Sequence, residues 1–334
     1  MRLAIMSFAH LHAEVYINNL RQAPDVEFVG FSDTDTERGQ HFAEQFNARW
    51  FDSHEALLKE GLDGVIVCSE NARHRELVEL AANAGVHILC EKPIEVTLDD
   101  ALAMRDVCEA NNVKFMTAFP VRFADTPQQI KTSLDKGELG KIYGINGINH
   151  SEIPLEHREW FSQKALAGGG AVMDHTVHLV DVYRWFFDCE ITEVYAEVDN
   201  LFYPNQVDVD TAGIVTLQLD NGAFATVDCS WSRPMFYSRW GHLKMDIVGE
   251  NGFMKVDNLA QYLTIYSKHL PRNPTWRNFG IDANQRMINE FVASIQEDRE
   301  PSVTWRDGYE ALRVALACYE SSESGQPVQL THNH

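Results

Sequence analysis

Glycine is missing where this chain would most be expected to need it. Arg2 to Met6 reads as a short buried strand and Leu11 onward as the start of a helix. The turn between them, Ser7-Phe8-Ala9-His10, contains no glycine, and the first one in the chain is Gly30. That excludes the ordinary glycine-rich dinucleotide turn and leaves either no such site or one built from other residues. Positive charge is also scarce: 28 Lys and Arg stand against 49 Asp and Glu, a formal net charge of −21. This argues against polyanionic partners such as nucleic acid or an anionic membrane surface. It does not argue against a dinucleotide, because a helix N-terminus can hold a pyrophosphate whatever the net charge. The six cysteines (Cys68, Cys90, Cys108, Cys189, Cys229 and Cys318) are scattered and form no CxxC pair. This argues against a disulfide framework or zinc knuckle and fits a reducing cytoplasm. No apolar run approaches the roughly 20 residues of a membrane span, and the opening apolar strand is too short for a signal peptide. A cytoplasmic protein is expected.

What is present is regular. The 334 residues are enough for two domains. Strand-like runs at Leu3–Met6, Val26–Phe31, Asp63–Cys68, Val86–Cys90 and Lys114–Phe119 alternate with helical patterns near 12–22, 35–46, 54–60, 72–84 and 98–111. Such alternation predicts a doubly wound parallel sheet over 1–120, with ligands beyond the carboxyl ends of its strands. Residues 121–334 predict an open, mainly antiparallel sheet with helices on one face. Helices are expected near 125–136, 171–187, 282–297 and 307–322, and the last one can pack back on the first domain. Hairpins are expected at Asn221-Gly222 and Asn251-Gly252. Loops are expected at 201–210 and 268–280, and a frayed end at "THNH".

Three stretches can carry chemistry. In "FSDTDTERG", Asp33 follows the second strand, where a carboxylate can hold the adenosine ribose and repel the 2′-phosphate of NADP; it can equally start a turn. In "ILCEKPIEVT", Glu91-Lys92-Pro93 sits at the end of a buried strand, and a cis X-Pro bond there would aim the lysine into the crevice. In "AGGGAVMDHTVHLVDVYRWFF", Asp174 and His178 lie four apart on one helix face, a pairing that suits a general base but also describes a solvated ion pair. Asp174, His175 and His178 could supply metal ligands with His150 or Glu152. No second cluster has ligand spacing, and no metal is expected.

Taken in order, "SENARHRELVELAANAGVHILCEKPI", "FPVRF", "KGELGKIYGI" and "REWF…AGGGAVMDHTVHLVDVYRWFF" resemble the Gfo/Idh/MocA family of oxidoreductases over nearly the whole chain. The resemblance implies that Lys92 hydrogen-bonds the reacting hydroxyl, that His178 takes its proton, and that Asp174 orients substrate or base. Hydride would pass to the nicotinamide of NAD, with NADP less suited. It implies cofactor contacts at Ser7, Phe8, Ala9, His10, His12, Asp33, Ser69, Asn71, His74, Glu91 and Lys92. It implies substrate contacts at Arg122, Trp160 and His175, although Arg122 can also be a structural ion pair and His175 can face the domain interface. The chain departs from the family pattern at Ser7, Ala9 and His12 of the turn, at Glu70, and at His175 and Thr176. The implied function is a dehydrogenase of sugars, inositols or polyols, assembled as a homodimer or homotetramer through the second sheet. The alternatives are a non-catalytic sensor, an enzyme that retains NAD for epimerisation or glycoside cleavage, and a metal-dependent hydrolase or isomerase.

Overall fold

The computed structural model describes residues 1–156, 158–258, 261–270 and 274–331. The first part is a six-stranded parallel sheet made of β1 (Arg2–Met6), β2 (Glu27–Ser32), β3 (Trp50–Phe51), β4 (Gly64–Val67), β5 (His87–Cys90) and β6 (Phe115–Thr117). Between them run α1 (Ala13–Gln22), α2 (Thr36–Phe46), α3 (His54–Leu58), α4 (His74–Asn83) and α5 (Leu98–Ala110). The spatial order is β3-β2-β1-β4-β5-β6. The strand order therefore reverses between β1 and β4, and the crevice beyond those strand ends is the ligand position of a doubly wound sheet. Leu3 to Met6, Val65 to Val67 and Ile88 to Cys90 are wholly buried. Helices cover both faces, so these strands can be apolar throughout, without polar alternation.

The turn after β1 bends sharply without a glycine. Ser7 takes a left-handed backbone with φ of 70°, a conformation that costs an L-residue about 1–2 kcal/mol relative to the right-handed one. Its hydroxyl offsets part of this by accepting the Ala9 N–H at 3.1 Å.

The second part starts with α6 (Asp125–Asp135), β7 (Ile142–Glu152), α7 (Lys164–Ala167) and α8 (Ala171–Phe187). Then come β8 (Ile191–Asp199), β9 (Ala212–Leu219), β10 (Phe224–Arg233), β11 (Gly241–Gly249) and β12 (Gly252–Asp257). β13 (Tyr262–Ile265), β14 (Thr275–Asn278), α9 (Ala283–Gln296), α10 (Trp305–Ser324) and β15 (Val328–Gln329) complete it. The main sheet runs β12-β11-β7-β10-β9-β8-β15, and only the β7–β10 pair is parallel. α8 and α10 pack together against one face. Both Asn-Gly turns join the expected hairpins, β9 to β10 and β11 to β12.

One expected loop is partly strand. Within 268–280, β14 pairs with β13 as a separate ribbon, held by Tyr262 stacked on Trp276 at 4.7 Å and by Arg239 over both rings. A period too short to register in sequence is enough once aromatic rings pair across two strands. Residues 332–334 of the "THNH" end lie outside the described residues.

Gly170 caps the start of α8 at a point where nothing larger fits: a Cβ there would lie 1.8 Å from the Asp210 carbonyl oxygen. The Asp210 carboxylate accepts the Gly170 and Val172 N–H groups at 2.7 Å each, fixing the start of the helix that carries Asp174 and His178. α9 and α10 return to the first domain. The Asn19 amide donates to Asp282 at 2.8 Å, and the Thr117 hydroxyl donates to the Thr304 carbonyl at 3.0 Å.

Just past Glu91-Lys92-Pro93, burial pushes the Glu95 carboxyl up from 4.5 to about 7 against the N–H bonds it accepts from Val96 and Arg75. The folded state therefore holds a proton that the unfolded chain has released. The stability this adds is complete below about pH 4.5 and is lost as pH rises through about 7. Glu95→Gln is expected to remove that dependence. Relative to the parent, its melting temperature should rise between about pH 5 and about pH 8; a difference independent of pH would refute the assignment.

Candidate active site

Lys92 leaves the end of β5 across a cis Lys92–Pro93 peptide. Its Nζ lies 2.5 Å from Asp174 Oδ1 and 3.2 Å from the Asp174 carbonyl oxygen. The other carboxylate oxygen, Oδ2, is 3.1 Å from His175 Nε2, and His175 Nδ1 is 2.8 Å from the Asn149 carbonyl oxygen. His175 thus braces Asp174 against β7. His178 sits one turn further along α8, edge-on to Phe119, and its Nδ1 is buried without a hydrogen-bond partner. Burial works to raise the Asp174 carboxyl, but the Lys92 ammonium and then His175 hold it well below the usual carboxylate range. Burial, reinforced by Lys92, holds the His178 imidazole well below 6.5. The result is a fixed cation, a fixed carboxylate and a neutral ring able to accept a proton.

These groups line a cavity of ≈770 Å³ between the two domains, a size that suits a small organic ligand. Its other walls include Asp125, Asn149, His150 and Asn284. None of these four was implied as a substrate contact, because they come from separate elements that only the fold brings together.

The dinucleotide turn is differently disposed. Every backbone N–H from Ser7 to Val15 except that of Leu11 already has an acceptor within the chain. Ser7 donates to the Ser32 carbonyl, Phe8 to Asp33 Oδ2 at 2.8 Å, Ala9 to the Ser7 hydroxyl and His10 to the Cys68 carbonyl. His12 donates to His10 Nδ1 at 3.2 Å, and Ala13, Glu14 and Val15 close back on the turn. A pyrophosphate is held by such N–H groups when they are free. Asp33 is wholly buried and receives both the Arg38 Nε and Nη2 hydrogens, at 2.8 and 2.9 Å. Phe8 packs on Phe31 and Phe42. A strap from the second domain lies on top: Arg158 Nε and Trp160 Nε1 both donate to the Ala9 carbonyl, at 3.0 and 2.9 Å. As folded, the turn is closed over by the second domain, and of these N–H groups that of Leu11 is left open to a phosphate.

Of the remaining cofactor candidates, the Asn71 amide donates to the Ala167 carbonyl at 2.9 Å, the Ser69 hydroxyl to the Glu70 carbonyl at 3.1 Å, and His74 Nδ1 meets the Ile94 carbonyl at 3.1 Å. Glu91 points inward to Tyr16 and His12. Two substrate candidates fall elsewhere. Trp160 belongs to the strap. Arg122 is buried in an ion pair with Asp181 (2.9 and 2.6 Å) and Asp307 (2.9 Å), away from the cavity lining. Its charge is needed to neutralise a wholly buried Asp181. The metal set considered for α8 does not assemble. His175 is held as above, and His150 sits between Asp228 (2.8 Å) and Arg233 (2.6 Å).

Among known proteins, the family described as oxidoreductases with an NAD-binding Rossmann fold matches residues 5–119, and the GFO/IDH/MocA C-terminal domain matches residues 128–255. The chain is 25% identical to a myo-inositol 2-dehydrogenase of Thermotoga maritima, covering 99% of this chain and 98% of that one. It is also 25% identical to an NAD⁺ scyllo-inositol 2-dehydrogenase of Bacillus subtilis, over 99% and 96%. A solved myo-inositol 2-dehydrogenase of Lactobacillus plantarum shares its fold with a TM-score of 0.86 at 23% identity, over 99% of both chains.

Proposed function

We propose that this chain, which belongs to the GFO/IDH/MocA family of oxidoreductases, acts on a carbinol carbon of a sugar, inositol or related polyol bound over Lys92, Asp174 and His178. The observation that carries this reading is a Lys92 ammonium 2.5 Å from Asp174 beside the unpartnered, neutral His178 ring. Lys92 donates to the hydroxyl oxygen and stabilises the alkoxide, Asp174 holds that ammonium in place, and the His178 ring takes the proton. The family's cofactor for the accompanying oxidation is NAD. For a dinucleotide to enter, Arg158 and Trp160 must leave the Ala9 carbonyl and Arg38 must leave Asp33.

The closed turn favours a second reading with the same substrate class. In it the site only moves protons, at the carbon next to the carbonyl of a sugar that is already oxidised. Calorimetric titration of NAD and NADP, after a check for nucleotide carried through purification, separates the two. On the first reading NAD binds, Arg158→Ala with Trp160→Ala strengthens it about 10-fold by freeing the turn, and a polyol screen yields NADH. On the second, neither nucleotide binds to parent or variant.

The same proposal puts the enzyme in the cytoplasm, in keeping with six buried, unpaired cysteines. It also makes the enzyme a homodimer or homotetramer through the outer sheet face. There Phe224, Val248 and Phe253 lie in register across four strands and are each about half exposed or more.

A further inference from the structure

The end of β1 and the end of β5 bring together three side chains that the substrate site does not use. Glu91 Oε1 is 2.9 Å from His12 Nδ1, and Oε2 is 4.0 Å from His10 Nε2. Among the described residues, His10, His12 and Glu91 each offer a ligand atom within 4.8 Å of the other two. The His10 ring is 1% exposed, and its Nε2 has no hydrogen-bond partner. Glu91 is wholly buried. It accepts from the Tyr16 hydroxyl at 2.5 Å and the Lys92 N–H at 3.1 Å, yet the nearby Lys92 ammonium is held by Asp174. A wholly buried carboxylate faced only by two imidazoles asks for positive charge between them, and a buried nitrogen with nothing to bond is costly.

We propose that His10, His12 and Glu91 form a site for a borderline divalent cation such as Zn²⁺ or Mn²⁺, where the turn after β1 meets the end of β5. Two imidazoles and one carboxylate are a sufficient set for such an ion, and they leave coordination positions open. His10 and His12 both line the cavity that holds Lys92, Asp174 and His178, so the open positions face the ligand space. Two neighbouring oxygens of a sugar, either a vicinal diol or a hydroxy-ketone, complete the coordination; this detail rests on the proposed substrate class, whereas the ion itself does not. Tyr16 fixes the Glu91 carboxylate from behind, as the partner of a ligand commonly does. Loading the ion on His10 Nε2 moves the ring proton to Nδ1 and gives up the long 3.2 Å bond from the His12 N–H. The closed strap no longer reads as a defect, because Phe161 packs edge-on against His10 at 5.3 Å and holds the ring toward Glu91.

The test uses untagged full-length protein with neither nucleotide nor sugar present, so its outcome is independent of the substrate reading. Metal content is measured by mass spectrometry after purification without chelator. EDTA-stripped protein is then titrated with ZnCl₂ and with MnCl₂ in a calorimeter. One equivalent of one of these ions is expected to bind. Glu91→Gln and His12→Gln should each weaken it by about 100-fold, and Tyr16→Phe by about 10-fold. If the buried Glu91→Gln variant does not fold, His12→Gln, at a partly exposed position, and Tyr16→Phe decide. Absence of binding by both ions, or binding that survives His12→Gln and Tyr16→Phe unchanged, would overturn the proposal.

Discussion

Replacing His178 with asparagine is expected to lower kcat by about 10²–10⁴-fold, the usual contribution of a positioned general base. KM should change little, because asparagine keeps a polar group of similar reach at the cavity wall. The ring is poised for this role by place rather than by residue type. It sits one turn from Asp174 on a helix start fixed by Asp210, and its Nδ1 has no partner inside the protein. Burial and then the Lys92 charge keep it neutral, with its pKa well below 6.5. The group must be unprotonated to act, so the acidic limb of the pH–rate profile should lie below pH 6.5, with activity flat above it until another group titrates. The profile of the parent and the residual rate of His178→Asn, taken on whichever polyol the screen yields, check both points. A variant with undiminished kcat would remove His178 from the chemistry.

The largest expected effect on stability comes from Arg122→Met. Asp181 is 0% exposed, and burial already pushes its carboxyl up to about 6 although Arg122 bonds both of its oxygens. Removing the guanidinium leaves that carboxylate buried and also frees Asp307 on one side, where Arg184 remains 3.0 Å away. Breaking a buried pair from one end costs about 3–5 kcal/mol. Replacing both ends, in Arg122→Met with Asp181→Leu, should recover most of it, since two apolar side chains of similar volume leave no charge to desolvate. Denaturant titration of the parent, the single variant and the double variant measures this. Substrate KM should be unchanged in any variant that folds; a raised KM would return Arg122 to the pocket.

Much of this molecule could be read along the chain. The alternation of apolar strands with amphipathic helices specified the doubly wound first domain, because hydrophobic period reports which faces are covered. The Asn-Gly pairs located two hairpins, because few residues adopt that turn. Glu91-Lys92-Pro93 marked a strand end, and the four-residue spacing of Asp174 and His178 put both on one helix face, because these are local facts of strand and helix geometry. Partner choice between distant segments was not local. Whether Asp33 faced a ribose or Arg38, and whether Arg122 faced a substrate or Asp181, depended on which side chain the fold delivered to the same point. The strap over Ala9 comes from about 150 residues away, and no spacing rule reports it. His10 and His12 looked like intruders in a phosphate turn until the fold carried Glu91 to them. Sequence determined the long, periodic elements and the face each would bury, because those follow from neighbours in the chain. Tertiary structure alone decided which buried charge meets which, because a desolvated group takes its partner from whatever is packed against it.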